Sequence, residues 1–139
     1  MGRILAIDYG TKRTGLAVTD PLKIIASPLE TVPTKSLLTY LGAYVSKETV
    51  ETIVIGMPKN LQNNDTHSTD QVRKFILALK KTFPDTPVKE VDERFTSKMA
   101  FQTMIDGGLK KKARQDKSTV DKLSATIILQ SYMEANPSY

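Results

Sequence analysis

A chain of 139 residues is long enough to bury a core of its own, and 40% hydrophobic with 25% charged residues is the balance of a globular protein. There is no cysteine, which excludes disulfides, thiolate zinc sites and cysteine nucleophiles. A net charge of +5 leans toward polyanionic partners, and no apolar run approaches membrane-spanning length. With no signal-peptide pattern at the amino terminus, the expectation is one domain over residues 1–139, cytoplasmic and without a membrane partner.

The first element lies in Arg3–Thr19, RILAIDYGTKRTGLAVT. Ile4, Leu5, Ala6 and Ile7 form an unbroken apolar run, as in a strand covered on both faces. Alternation puts Asp8 on the face of Ile4 and Ala6, where a carboxylate is costly unless hydrogen-bonded, ion-paired or bound to a cation. Gly10 and Gly15 bracket a turn, and Leu16, Ala17 and Val18 resume the strand pattern. Asp20-Pro21 signals another turn, and Ile24–Val32 reads as a third strand. Pro28 removes a ladder donor from it and predicts an edge position. Three strands with short connections make an antiparallel meander.

Lys35–Glu48 shifts to helical spacing, with Leu37, Leu38, Leu41, Tyr44 and Val45 on one stripe and Thr34 placed to cap its start. Thr52–Ile55 is a buried-strand signature closed by Gly56-Met57-Pro58, and Lys59–Thr66 is a polar loop. Val72, Phe75, Ile76, Leu79 and Phe83 define a second amphipathic helix stopped by Pro84. Its neighbour His67 reads as solvated. Val88–Glu93 is a further strand, and Thr96–Asp106 a third helix that Gly107-Gly108 ends. Thr119–Ala135 is the last helix, apolar at Val120, Leu123, Ile127, Ile128 and Met133. The order βββαβαβαα demands parallel pairing across the later strand–helix–strand units. The fold class is therefore α/β, a mixed five-stranded sheet with three antiparallel and two parallel strands and helices on both faces.

In such sheets ligands gather outside the carboxyl ends of the parallel strands. Asp8 lies near the carboxyl end of the first strand, Glu93 at that of the last, and Asp121 in the first turn of the final helix. Each also has a plain structural reading. Asp8 can accept turn N–H bonds, Glu93 can pair with Arg94 or Lys98, and Ser118-x-x-Asp121 fits a capping box. Lys110, Lys111, Lys112, Arg114, Lys117 and Lys122 form a basic cluster against Asp116 and Asp121. Alone it reads as a solvated loop; beside an acidic site it gains interest.

Four blocks now stand in order: Asp8-Tyr9-Gly10-Thr11-Lys12-Arg13-Thr14-Gly15, Gly56-Met57-Pro58, Asp92-Glu93-Arg94-Phe95-Thr96, and Val120-Asp121-Lys122-Leu123-Ser124-Ala125-Thr126-Ile127-Ile128-Leu129. With them the chain resembles, over nearly its whole length, the YqgF/RuvX family of small RNase H-like nucleases, assigned to Holliday junction resolution and pre-16S rRNA processing. The resemblance implies an RNase H-like fold and carries three acids onto Asp8, Glu93 and Asp121. One departure follows Gly56-Met57-Pro58: related sequences tend to have Asn-Met-Asp-Gly where Asn60-Leu61-Gln62-Asn63 stands here. Asn63 can take the left-handed position that glycine would fill, and a direct role of the missing aspartate is not carried over to this chain.

What the resemblance implies chemically is a two-metal phosphodiesterase. Two divalent cations, Mg²⁺ or Mn²⁺, ~4 Å apart activate water and neutralise the leaving oxygen. Asp8 would bridge them, and Glu93 and Asp121 would each complete one shell. Hard cations favour such carboxylate donors. Gly10 would let the backbone approach metal or phosphate closely, and Lys12, Arg13, Lys110, Lys111, Lys112, Arg114 and Lys117 would hold the nucleic-acid backbone without reading sequence. Tyr9 and Phe95 flank two of the acids and serve core packing before base stacking. The expected activity is nuclease cleavage in 5′-end maturation of pre-16S rRNA. Alternatives are resolution of branched DNA, for which a homodimer would supply two sites, and a nucleic-acid-binding module with little catalysis. An ATP-binding protein of the actin/Hsp70 type is a further rival, but the chain carries one phosphate-type turn where that site needs two halves.

Overall fold

The computed structural model describes residues 2–57, 67–92 and 117–135, with the side chains of 67–69, 92 and 117–122 left aside. Five strands form one mixed sheet: β1 (Arg3–Asp8), β2 (Arg13–Thr19), β3 (Ala26–Pro33), β4 (Val50–Met57) and β5 (Val88–Asp92). Their order is β3-β2-β1-β4-β5. β2 pairs antiparallel with β1 and β3, whereas β4 pairs parallel with β1 and β5. The expected mixed topology is therefore present, and β3, with Pro28, stands at the edge of the described sheet.

The unbroken apolar run of β1 has the cause read from it, because each face of the sheet is buried under helix. Leu5 and Ile7 join Leu16, Val18, Ile53 and Ile55 on one face, against Leu37 and Leu41 of α1 (Leu37–Lys47) and Val72, Phe75, Ile76 and Leu79 of α2 (His67–Thr82). Ile4 and Ala6 join Ala17 and Val54 on the other, against Ala125, Ile128 and Leu129 of α3 (Lys117–Ala135). Fully burying a leucine such as Leu37 or Leu41 stabilises by about 1.5–3 kcal/mol. Alanines at positions 6, 17 and 125, all fully buried, let α3 lie close on the sheet. Ser124 through Leu129 are all buried, so this stretch of α3 is enclosed around more than one stripe. No helix among the described residues is long and apolar enough to cross a membrane.

Several boundaries differ from expectation, each for a visible reason. The third strand starts at Ala26, not Ile24, because Asp20 captures the preceding amides: its carboxylate accepts N–H bonds from Leu22 (3.1 Å), Ile24 (2.8 Å) and Ile25 (2.8 Å). Ile24 and Ile25 are left 65% and 62% exposed, and Lys23 takes a left-handed φ of 60°. Thr34 does not cap α1. It opens a short 3-10 turn, Thr34–Ser36, and Ser36 occupies the N-cap position without a side-chain capping bond among the described residues. The last helix begins at Lys117, two residues earlier than its apolar pattern indicates. Asp121 is thus its fifth residue, beyond the first turn, and Ser118 lies inside the helix, so the capping-box reading is withdrawn. The expected helix at Thr96–Asp106 and the loop at Lys59–Thr66 lie outside the described residues.

Candidate active site at the carboxyl end of the parallel strands

Because β1, β4 and β5 run parallel, their carboxyl ends, Asp8, Met57 and Asp92, lie at one edge of the sheet. Asp8 is half-buried and closes β1 on the face that α3 covers, since alternation continues from Ile4 and Ala6. Its cross-strand partner on β2 is Gly15, which brings no side chain. On β4, Gly56 follows Ile55, the partner of Ile7, and so stands alongside Asp8. The carboxylate therefore has small neighbours on both flanking strands. β5 is two strand spacings away, about 10 Å. Glu93 follows Asp92 directly and lies outside the described residues.

The direction of α3 completes the picture. Near its carboxyl end, Gln130, Met133 and Glu134 line a shallow groove with Ile24, Ile25 and Ala26. Ala26 pairs with Thr19, whose hydroxyl accepts the Ile4 amide, so this groove marks the amino end of β1. The first turns of α3 accordingly point toward the Asp8 end. Position 121 comes one helical turn before Ala125, which is fully buried against Ala6 and Ala17. The Asp121 and Lys117 side chains lie outside the described set, as do Lys110, Lys111, Lys112, Arg114 and Phe95 entirely. Among the described residues no group of three or more His, Asp or Glu side chains forms a metal cluster. The only one of the three acids whose side chain is described is Asp8.

The turn after Asp8 is held from two sides. Tyr9 packs on the α1/α2 face of the core, its ring 5.0 Å from that of Phe75 at 34°, which gives the aromatic its packing role. The Thr34 hydroxyl donates to the Gly10 carbonyl at 2.6 Å, and the Thr34 amide donates to the Lys12 carbonyl at 3.0 Å. A Cβ built on Gly10 would overlap the Arg13 carbonyl oxygen, so the glycine is required by the turn's own closure. Lys12 and Arg13 are exposed at this edge. Sequence reasoning did not single out Thr14 and Thr34 as a pair. Twenty residues separate them, and nothing in their spacing announces a contact.

Asp20 lies at the opposite end of the sheet, in the turn between β2 and β3. Its carboxyl is held below the ordinary aspartate range, chiefly by the Ile25 N–H, with partial desolvation working against that and the Ile24 and Leu22 amides adding to it. It serves the β2–β3 turn. His67 opens α2, and its side chain is among those left aside.

A family model described as "RuvX: Holliday junction resolvase" matches residues 2–135. The protein named "Putative pre-16S rRNA nuclease" from Bacteroides thetaiotaomicron is 56% identical over 135 residues, covering 97% of this chain and 98% of that protein. Its namesake from Flavobacterium psychrophilum is 56% identical over 133 residues, covering 96% and 97%. Among solved structures, Thermus thermophilus RuvC in complex with a Holliday junction substrate superposes with a TM-score of 0.59 at 17% identity, covering 98% of this chain and 97% of that one. The yeast mitochondrial Holliday junction resolvase Ydc2 gives 0.59 at 12% identity, covering 95% and 78%. At these identities the structural likeness is one of fold, the RNase H-like sheet.

Proposed function

We propose that this chain, which belongs to the RuvX family, is a metal-dependent nuclease that hydrolyses phosphodiester bonds of precursor 16S rRNA at the carboxyl end of β1, β4 and β5. The observation that carries the reading is convergence. Asp8 ends β1 at the same edge as the strand end that Glu93 follows, on the face covered by α3, whose opening turns carry Asp121.

The donor set suits hard divalent cations, because Asp8, Glu93 and Asp121 are all carboxylates, and Asp8 is half-buried with glycines on both neighbouring strands. Asp8, Glu93 and Asp121 would hold Mg²⁺ or Mn²⁺, which when bound supplies an activated water and neutralises charge on the leaving oxygen. Asp8 presents its oxygens from a strand fixed by ladder bonds on both sides, so the carboxylate is placed before substrate arrives. Lys12 and Arg13 on the adjoining turn, with Lys110, Lys111, Lys112, Arg114 and Lys117, bind the phosphodiester backbone and orient it without reading bases. Gly10 keeps that turn tight enough to lie against the backbone. This work would be done in the cytoplasm.

The family description favours a second reading, resolution of four-way DNA junctions. That reaction cuts two strands and needs two sites, hence a homodimer. The test incubates the chain with a 5′-extended 16S rRNA fragment and with a four-way junction, each in Mg²⁺, Mn²⁺ or EDTA. Metal-dependent cleavage of the RNA is expected. Cleavage of the junction alone would move the assignment to the resolvase, and failure to cut either substrate in either metal would overturn the nuclease reading. Lys111→Ala with Lys112→Ala should weaken binding and flatten its salt dependence; an unchanged slope would remove that segment from the interface.

A further inference from the structure

We propose that Thr34 is a positioning residue for substrate binding, acting through the Gly10–Arg13 turn rather than by touching nucleic acid. The inference rests on the reading above that Lys12 and Arg13 hold the phosphodiester backbone.

Hydrogen counting fixes the direction of the network. The Thr34 hydroxyl has one hydrogen, and it is committed to the Gly10 carbonyl at 2.6 Å. At the 2.9 Å contact between the Thr34 and Thr14 hydroxyls, Thr14 must therefore be the donor. The chain runs from Thr14, fully buried, through Thr34 to Gly10. The Thr34 amide takes the Lys12 carbonyl as well, so one residue grips the turn at two points, two residues apart.

The grip comes from outside the hairpin. Thr34 follows Pro33, whose strand partner is Arg13, so the end of β3 delivers it beside the turn. Its hydroxyl is not engaged in starting α1, where Ser36 holds the N-cap position. Nor is it needed to hold Asp8, which is fixed by pairing with Gly15, or Tyr9, which is anchored on Phe75. Thr34 thus controls the Gly10–Lys12 segment, which carries Lys12 and leads into Arg13, the first paired residue of β2, and little else. With the clasp in place, those two cations start from one backbone geometry. Without it, the turn must be ordered again at each binding event, which weakens affinity and leaves the chemistry of the bound state alone.

Thr34→Val removes the hydroxyl and keeps the amide, and Thr34→Ser keeps both. Binding is measured on a single-stranded RNA oligonucleotide in EDTA across a KCl series, and cleavage of the 16S fragment in Mg²⁺. The Val variant should bind about tenfold more weakly at every KCl concentration, with an unchanged salt slope because the bound phosphate contacts are kept, a KM raised by a similar factor and a kcat within about twofold. Amide exchange at residues 10–13 should accelerate about tenfold, and the Ser variant should restore every value. Wild-type binding by the Val variant would overturn the proposal, as would a loss confined to kcat or a Ser variant that fails to rescue. If the Val variant does not fold, Thr14→Val removes the donor one step back and should give the same pattern, reduced to about threefold; no change there overturns it equally. Wild-type protein that binds the RNA but never cleaves it would instead defeat the nuclease reading, and the binding series would still decide the role of Thr34.

Discussion

Replacing Ala125 with leucine should damage catalysis out of proportion to stability. Ala125 is fully buried where α3 lies against Ala6 and Ala17, one turn after Asp121. Alanine and leucine have nearly equal helix propensity, so the helix itself is not weakened. Three extra carbons must go into a contact built from small residues, which costs about 1–3 kcal/mol through displaced side chains and backbone. For a chain of this size that is a fall in Tm of roughly 3–12 °C. The relief available is for α3 to lift from the sheet, carrying with it Asp121, the proposed partner of Asp8, and a displacement of about 1 Å at a reacting centre can cost 10²-fold in rate. The control is Leu41→Ala, on α1 against the opposite face of the sheet, also fully buried. It leaves a cavity costing about 2–5 kcal/mol, and so should lower Tm more. Single-turnover cleavage at 20 °C in Mg²⁺, with the folded fraction read by circular dichroism, separates the two. Ala125→Leu should lose tenfold or more per folded molecule, whereas Leu41→Ala should stay near wild type. Equal rates per folded molecule in the two variants would refute the argument that α3 sets the third acid.

Other perturbations test the framework around the site. Thr19→Val leaves the buried Ile4 amide without the hydroxyl that accepts it at 2.9 Å and should cost about 1–3 kcal/mol in urea unfolding, with Thr19→Ser recovering most of it. Gly10→Ala sets a Cβ against the Arg13 carbonyl and should cost about 1–3 kcal/mol while weakening RNA binding; an alanine variant with wild-type affinity would show the turn to be tolerant. Asp20 has a lowered folded-state pKa, so its contribution is fully present above the ordinary aspartate range and disappears as the pH falls through the folded value. The stability gap between wild type and Asp20→Asn should accordingly be widest near neutrality and close in acid. A gap constant with pH would assign the effect to shape rather than charge.

The sheet was legible because its apolar runs are short, uninterrupted and bounded by turn residues. Ile4–Ile7 and Ile53–Ile55 admit few assignments, and Pro28 marked the edge strand. The failures share a cause: a side chain competing for backbone groups. Ile24 and Ile25 are β-branched and apolar, yet the Asp20 carboxylate takes their amides before a ladder can. Thr34 stands at a helix start, as a cap should, but its hydroxyl is drawn to Gly10 across twenty-four residues. Lys117 and Ser118 fall inside α3 although the apolar pattern begins later, since polar residues continue a helix with no periodic signal. The candidate site was legible in a different way. Asp8 stood out physically, as a charge at the end of a buried strand, whereas the roles proposed for Glu93 and Asp121 rest on family resemblance, beside a topology in which β5 and the start of α3 run to the end of the sheet that carries Asp8.

The central claim is that Asp8 belongs to a metal-dependent hydrolytic centre. The most direct measurement is the single-turnover cleavage rate of Asp8→Asn on the 5′-extended 16S fragment, in Mg²⁺ and in EDTA, beside its affinity for the same RNA. Asparagine keeps the size of the side chain and removes its charge. The account predicts cleavage reduced at least 10³-fold, to the wild-type level in EDTA, with affinity within about threefold of wild type. Cleavage by Asp8→Asn at the wild-type rate, or by wild type undiminished in EDTA, would contradict it.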